Sequence, residues 1–123
     1  MAYKKILSIS YDSTLLETRQ LLLQSRGYEV TSSFGYTDSL EHCQRVHWDL
    51  IIIGHSIPNQ DKRVLVTQFR QSCDAPVLAL HRFGEPELEG ADHTITPEHP
   101  EQLLKMVDTI FAADERRRAA ARD

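Results

Sequence analysis

Polar side chains that could do chemistry gather just after the apolar runs of this sequence. With the glycine and proline that stand among them, they are Ser10, Tyr11, Asp12, Gly54, His55, His81, Thr96 and Pro97. A carboxylate and two imidazoles are ligands that transition metals accept, so Asp12, His55 and His81 make one candidate metal or ligand site. His99 could add a fourth ligand. No HxH or HExxH spacing supports that site, and solvent-facing histidines with no bound metal are the favoured interpretation.

Several other classes of function are disfavoured. Gly54-His55-Ser56 lacks the GxSxG elbow of hydrolases, and no GxGxxG or Walker-type loop is present, so we expect neither an enzyme nor a cofactor. Lys plus Arg is 14 against 18 for Asp plus Glu, a net charge of −4. That balance excludes an overall basic footprint for nucleic acid, and the arginines near the C-terminus indicate a solvated helix end.

The apolar runs predict the elements that must position these side chains. The expected strands are Lys5–Ser10, Tyr28–Ser33, Asp49–Gly54, Pro76–Leu80 and Asp92–Thr96. The expected helices run from the Asp12-Ser13-Thr14 cap to Gly27, over Thr37–Val46, over Lys62–Ser72 and from Pro97 or Pro100 onward. This alternation predicts a three-layer, doubly wound α/β fold with a five-stranded parallel sheet. Ligands of such sheets bind at the carboxyl ends of the strands, where the candidate residues stand.

A single domain is expected over residues 1–123, with residues 112–123 as a helix extension or, slightly preferred, a frayed end. Cys43 and Cys73 lack CxxC spacing and are predicted to be free, partly buried thiols. The apolar runs are shorter than the roughly 20 residues that span a bilayer, and residues 1–5 lack a signal-peptide pattern. We therefore expect a cytoplasmic protein without membrane contact.

The order of segments resembles the response-regulator receiver family from Lys4 to Phe111. The matching segments are Ile6–Asp12, Gly27–Val30, Trp48–Gly54, Pro58 with Asp61, Pro76–Leu80 and Gly90–Asp92. This resemblance implies the flavodoxin-like, receiver type of parallel sheet. It also implies a chemistry in which a strand-end aspartate takes a phosphoryl group from a partner's histidine, with a divalent metal held by an acidic pair.

The positions that carry this chemistry in the family hold other residues here. The acidic pair falls on Ser10 and Tyr11, the acceptor aspartate on Gly54, and the switch hydroxyl on His81. Tyr11 is expected to fill the vacated acidic pocket, because buried carboxylates without a metal would repel each other. The resemblance therefore implies a receiver without its phosphorylation chemistry.

Two structural predictions rest on the same resemblance. The family's Lys-Pro bond is typically cis, so a cis Thr96–Pro97 bond is expected if the match includes a one-residue gap. A trans bond would favour the ungapped match, which puts Pro97 itself at the lysine. Only eight residues, 82–89, separate His81 from Gly90, so the family's fourth helix is shortened or missing.

The sequence therefore predicts a pseudo-receiver of two-component or phosphorelay-type signalling. We expect it to act through protein partners as a monomer or homodimer, independently of phosphorylation. One alternative is a small metal- or ligand-sensing module that uses the strand-end histidines. A second alternative is an atypical response regulator that is phosphorylated on Asp12 or Asp61.

Overall fold

Strands and helices alternate along the chain in the computed structural model, which describes residues 4–85, 88–97 and 99–122. The strands are β1 (Lys5–Ser10), β2 (Glu29–Phe34), β3 (Leu50–Ile53), β4 (Val77–Leu80) and β5 (His93–Ile95). The helices are α1 (Ser13–Gln24), α2 (Tyr36–Arg45), α3 (Asn59–Ser72) and α4 (Pro100–Arg122). Each predicted strand and helix is present, with ends shifted by a few residues.

The five strands form one parallel sheet in the order β2-β1-β3-β4-β5. The strand order reverses between β1 and β3, where Ile9 lies opposite Ile53. Helices α2 and α3 pack on one face of the sheet, and α1 and α4 pack on the other. The predicted three-layer, doubly wound fold is confirmed. Its carboxyl edge at the β1–β3 switch is where such folds place ligands.

Strand β3 lies at the centre of the sheet and is fully buried, because all four of its residues are aliphatic and helices cover both faces. Two valines of the helical segments are exposed, Val46 and Val64. Val46 lies beyond the end of α2, and Val64 lies on the outer side of α3.

Helix α3 begins at Asn59, three residues before the predicted start at Lys62. Residues 59–61 are polar and give no apolar periodicity, so the sequence does not reveal this first turn. Pro58 precedes the helix with a φ of −58°, which already matches the helical value. The earlier start moves Lys62 from the helix end into the body of α3.

Between β4 and β5, the described residues 81–85 and 88–92 contain no helix. The missing or shortened fourth helix is thus confirmed for that part of the chain. A tight turn takes its place, in which Glu85 N–H donates to the Arg82 carbonyl at 3.1 Å.

The prediction of free thiols was wrong. Cys43 near the end of α2 and Cys73 at the end of α3 form a disulfide, with their Cα atoms 6.4 Å apart. That separation lies within the usual range for a bridged pair. The packing of α2 beside α3 brings the two residues together, and a spacing of 30 residues in the sequence does not indicate it.

Helix α4 continues to Arg122. Asp123 lies outside the described residues. Ala and Arg are strong helix formers and lengthen the helix past its last buried turn at Phe111. No helix in the described residues is long and apolar enough to cross a membrane.

Candidate functional site at the carboxyl edge of the sheet

The residues singled out from the sequence lie at or just beyond the carboxyl ends of the strands. They are Ser10, Tyr11 and Asp12 after β1, Gly54 and His55 after β3, His81 after β4, and Thr96 and Pro97 after β5. The fold therefore assembles them along one edge of the sheet. Their contacts decide what this edge can do.

A hydroxyl network joins the ends of β1 and β3. Ser10 is fully buried, and its Oγ lies 2.7 Å from Ser56 Oγ. Ser56 Oγ also accepts the Tyr11 backbone N–H at 3.1 Å, and Ser10 Oγ accepts the Asp12 N–H at 3.0 Å. Neutral hydroxyls thus bond one another and the backbone between the ends of β1 and β3.

Both nearby aspartates are bound to other groups of the protein. Asp12 is the N-cap of α1, and its Oδ1 accepts the backbone N–H groups of Thr14 and Leu15 at 2.9 and 3.1 Å. Asp61 Oδ2 accepts the Tyr11 hydroxyl at 3.0 Å, while the Tyr11 ring packs against the core. Each carboxylate therefore serves a structural contact in this arrangement.

The space above Gly54, at the end of β3, is occupied. A Cβ atom built on Gly54 would lie 2.9 Å from the Ile9 carbonyl oxygen, and 3.1 and 3.3 Å from the two terminal nitrogens of Arg19. A buried guanidinium thus fills the space in which a side chain at residue 54 would begin.

Arg19 reaches this position from α1, where it is only 5% exposed. Its Nη1 donates to Ser8 Oγ at the long distance of 3.5 Å. Burial of the charged group lowers the pKa of Arg19 to about 10. The sequence analysis missed this residue, although its position between the buried Leu16 and Leu23 places it on the inner face of α1.

Lys62 is a second buried cation that the sequence analysis missed. It is 0% exposed, and its Nζ donates to the Leu80 carbonyl at 3.1 Å and to Glu85 Oε2 at 3.1 Å. It also lies 3.3 Å from His81 Nδ1, which accepts because an ammonium has only donors. Lys62 therefore ties the β4–β5 turn to α3, in place of the packing that a helix would supply.

Positive groups dominate the electrostatics around His55. Burial lowers the pKa of the half-buried His55 imidazole, and the charges of Arg19, Arg82 and Lys62 lower it further, against an opposing contribution from Glu85. A depressed histidine pKa means that His55 is neutral at pH 7. This surrounding of cations is the reverse of the acidic site that a divalent metal requires.

The alternative metal site is not assembled. Asp12, His55, His81 and His99 were its proposed ligands. Across residues 4–85, 88–97 and 99–122, no group of three or more His, Cys, Asp or Glu side chains is placed to hold one metal ion. Asp12 caps α1, and His81 is buried against Lys62.

The Thr96–Pro97 bond is trans, since the described residues contain no cis peptide bond. The trans form is the more stable one for an X–Pro bond by about 0.5–1 kcal/mol. Of the two matches considered in the sequence analysis, a trans bond agrees with the ungapped one.

No family model matches the sequence, and no curated protein does. Solved structures match closely in shape. A CheY-like response regulator receiver domain protein from Methanospirillum hungatei is 20% identical, with a TM-score of 0.81 over 94% of this chain and 99% of that one. The signal receiver domain of a putative LuxO repressor from Vibrio parahaemolyticus is 14% identical, with a TM-score of 0.81 over 97% and 98%. The receiver domain of Francisella response regulator 1452 is 20% identical, with a TM-score of 0.78 over 90% and 98%. The chain therefore has the fold of response-regulator receiver domains.

Proposed function

We propose that this chain is a pseudo-receiver, a signalling module that acts through protein contacts without being phosphorylated. One observation carries the proposal: at residue 54, the Ile9 carbonyl and the Arg19 guanidinium occupy the space of the acceptor side chain. A phosphoryl acceptor needs a carboxylate there, with a metal beside it to neutralise the incoming charge. The chain offers neither a carboxylate at residue 54 nor an acidic pair at residues 10 and 11.

The surface beside the shortened β4–β5 connection supports an interaction role. Phe83 in this turn is 94% exposed, and it lies against a cleft that Ile57 and Pro58 also line. Large aromatic side chains on the surface of a monomer are typical of binding sites, since they supply buried area to a partner. The same surface carries Arg82, which adds charge recognition to apolar contact. We place this activity in signalling of the two-component type, which the receiver fold favours.

Intact-mass spectrometry after incubation with acetyl phosphate and Mg²⁺ tests the proposal. A phosphorylatable receiver treated in parallel controls the reagent, and we expect that protein alone to gain the mass of one phosphoryl group. A gain in this chain would contradict the proposal and would favour the atypical response regulator instead. The Asp12→Asn and Asp61→Asn variants would then identify which carboxylate had reacted.

A further inference from the structure

A cleft of about 570 Å³ opens at the carboxyl edge, beside the turn between β4 and β5. One wall is the segment from His55 to Asn59, which leads into α3. The other wall is the turn from Arg82 to Glu85. The proposed function assigns this cleft no ligand.

Positive charge at the cleft is not balanced by the described residues. Arg82 is exposed and forms no ion pair with any of them. Glu85 is the one carboxylate among the described lining residues, and it is already bound by Lys62 Nζ and by the Arg82 backbone N–H, at 3.1 and 2.8 Å. Among the described residues, nothing pairs with the guanidinium of Arg82, which can contact an anion that enters the cleft.

Arg19 adds a second cation beneath the same wall. Its guanidinium lies against Gly54, directly before His55 in the chain, and it has five N–H donors. Within the described residues, its only hydrogen bond is the long one to Ser8 Oγ. An ionised group that is 5% exposed and has so few acceptors is destabilising unless a counter-charge lies nearby.

The amino end of α3 also contributes positive charge to the cleft. This 14-residue helix has no side-chain cap, and the cap residue Pro58 and the first helical residue Asn59 line the cleft. Asp61, the acidic residue of the first turn, accepts the Tyr11 hydroxyl. The first N–H groups of a helix lack partners within the helix, and they carry the positive end of its dipole. N–H groups without a side-chain cap, beside two guanidinium groups that form no ion pair with the described residues, make an arrangement that binds anions.

We propose that this cleft reversibly binds a small oxyanion, a phosphate or a carboxylate group. Arg82 and the amino end of α3 contact it, and Arg19 supplies charge from beneath Gly54. This site is positively charged, whereas the family's metal-binding pocket is lined by acidic residues. It requires no covalent phosphorylation, so it goes beyond the proposed function and does not depend on it.

The test is a titration of the full chain with inorganic phosphate at constant ionic strength, followed by thermal melting and by NMR of the His55 ring. We expect saturable binding with a Kd of about 1 mM, a rise in Tm and a shift of the His55 signals. Arg82→Met should weaken binding about tenfold or more. Arg45→Met, at the far end of α2, is the matched control and should bind as the wild type does.

The Arg19→Met variant provides a second test, in which the Tm without phosphate should rise. Without phosphate, this variant should melt at a higher temperature than the wild type, because an apolar side chain replaces a poorly paired buried charge. It should then lose most of the phosphate-dependent rise in Tm. An equal phosphate-dependent rise in Tm in the wild type and in Arg19→Met, or no such rise in the wild type, would overturn the proposal.

Acetate titration separates the two sources of the ligand group. Comparable binding of acetate assigns the site to carboxylates, such as acidic side chains of a partner, whereas binding of phosphate alone assigns it to phosphate groups. No saturable response to either ion, or an equal response in Arg82→Met and Arg45→Met, refutes the site. Intact mass stays unchanged throughout, so a failure of this proposal is distinguishable from covalent phosphorylation, which would refute the proposed function.

Discussion

Replacing Lys62 by methionine is expected to lower the free energy of unfolding by about 2–3 kcal/mol. The Nζ–Oε2 distance of 3.1 Å to Glu85 corresponds to an attraction of about 5 kcal/mol at an effective dielectric constant of about 20. Removal of water from both groups offsets much of that attraction. Breaking a buried pair by deleting one partner typically costs about 3–5 kcal/mol. Glu85 is 18% exposed and can regain water, which places the expected cost at or below the lower end of that range.

The assay is thermal and urea unfolding of four proteins: wild type, Lys62→Met, Glu85→Gln and the double variant. For a domain of this size, the single Lys62→Met change should lower Tm by about 10 °C. The double variant should be less destabilised than the sum of the single changes, with a coupling of about 1–2 kcal/mol, because neither charge is then left alone. Lys105→Met, an exposed lysine on α4, should change stability by less than about 0.5 kcal/mol.

The coupling between Lys62 and Glu85 should also depend on pH. Desolvation raises the pKa of the Glu85 carboxyl, but the hydrogen bonds from Arg82 N–H and Lys62 and the nearby positive charges outweigh it, so the net pKa is lowered. A lowered carboxyl pKa gives stability that is complete above the unfolded value and is lost as pH falls through the folded value. The coupling should therefore persist at pH 7 and be lost only as pH falls through the lowered pKa of Glu85, below the ordinary range of a glutamate. Additive single changes at pH 7, or a coupling that survives in acid, would refute this account.

Three further predictions concern the edge and its supports. Gly54→Ala should lower the free energy of unfolding in urea by about 1–3 kcal/mol, because its Cβ would lie 2.9 Å from a backbone oxygen of β1. A neutral or stabilising result would mean that the strand ends move apart to accommodate the methyl group. Asp12→Ala should lower the free energy of unfolding by about 1 kcal/mol, because α1 loses its N-cap, and Ser13→Ala should lower it clearly less. Equal effects of the two changes in urea unfolding would contradict the capping role of Asp12. Replacement of both Cys43 and Cys73 by serine should lower the free energy of unfolding by about 3–4 kcal/mol. This is the entropy that a disulfide removes from the unfolded chain when it closes a loop of 30 residues. Thiol labelling of the unfolded, unreduced protein should find no reactive thiol, and full labelling would refute the disulfide.

The fold could be predicted because the dominant signals are local. The aliphatic run of β3 can only be a buried central strand, and the Asp12 cap and the short 82–89 segment set the adjoining elements. The order of these elements fixes the topology, since parallel crossovers are right-handed. The same order placed the candidate residues at the carboxyl edge.

The chemistry of the edge could not be predicted, because it depends on long side chains from other elements. Arg19 and Lys62 come from the bodies of α1 and α3, and helical charges are ordinarily solvated. The available signal was helical spacing from buried neighbours, which places both side chains on the inner faces of their helices. These neighbours are Leu16 and Leu23 for Arg19, and Leu65 and Phe69 for Lys62. The disulfide depended on how α2 packs beside α3, which no local pattern shows.

Under the proposed function, the contact between Arg19 and Gly54 also opposes an engineered carboxylate at residue 54. An aspartate introduced there would meet the backbone oxygen of Ile9 and the guanidinium of Arg19. Its carboxylate would pair with that guanidinium, which would then compete with any phosphoryl donor. An engineered acceptor would therefore need the removal of Arg19 together with two acidic residues at positions 10 and 11. Under the same proposal, the edge is more readily engineered as a binding surface than as a phosphorylated switch.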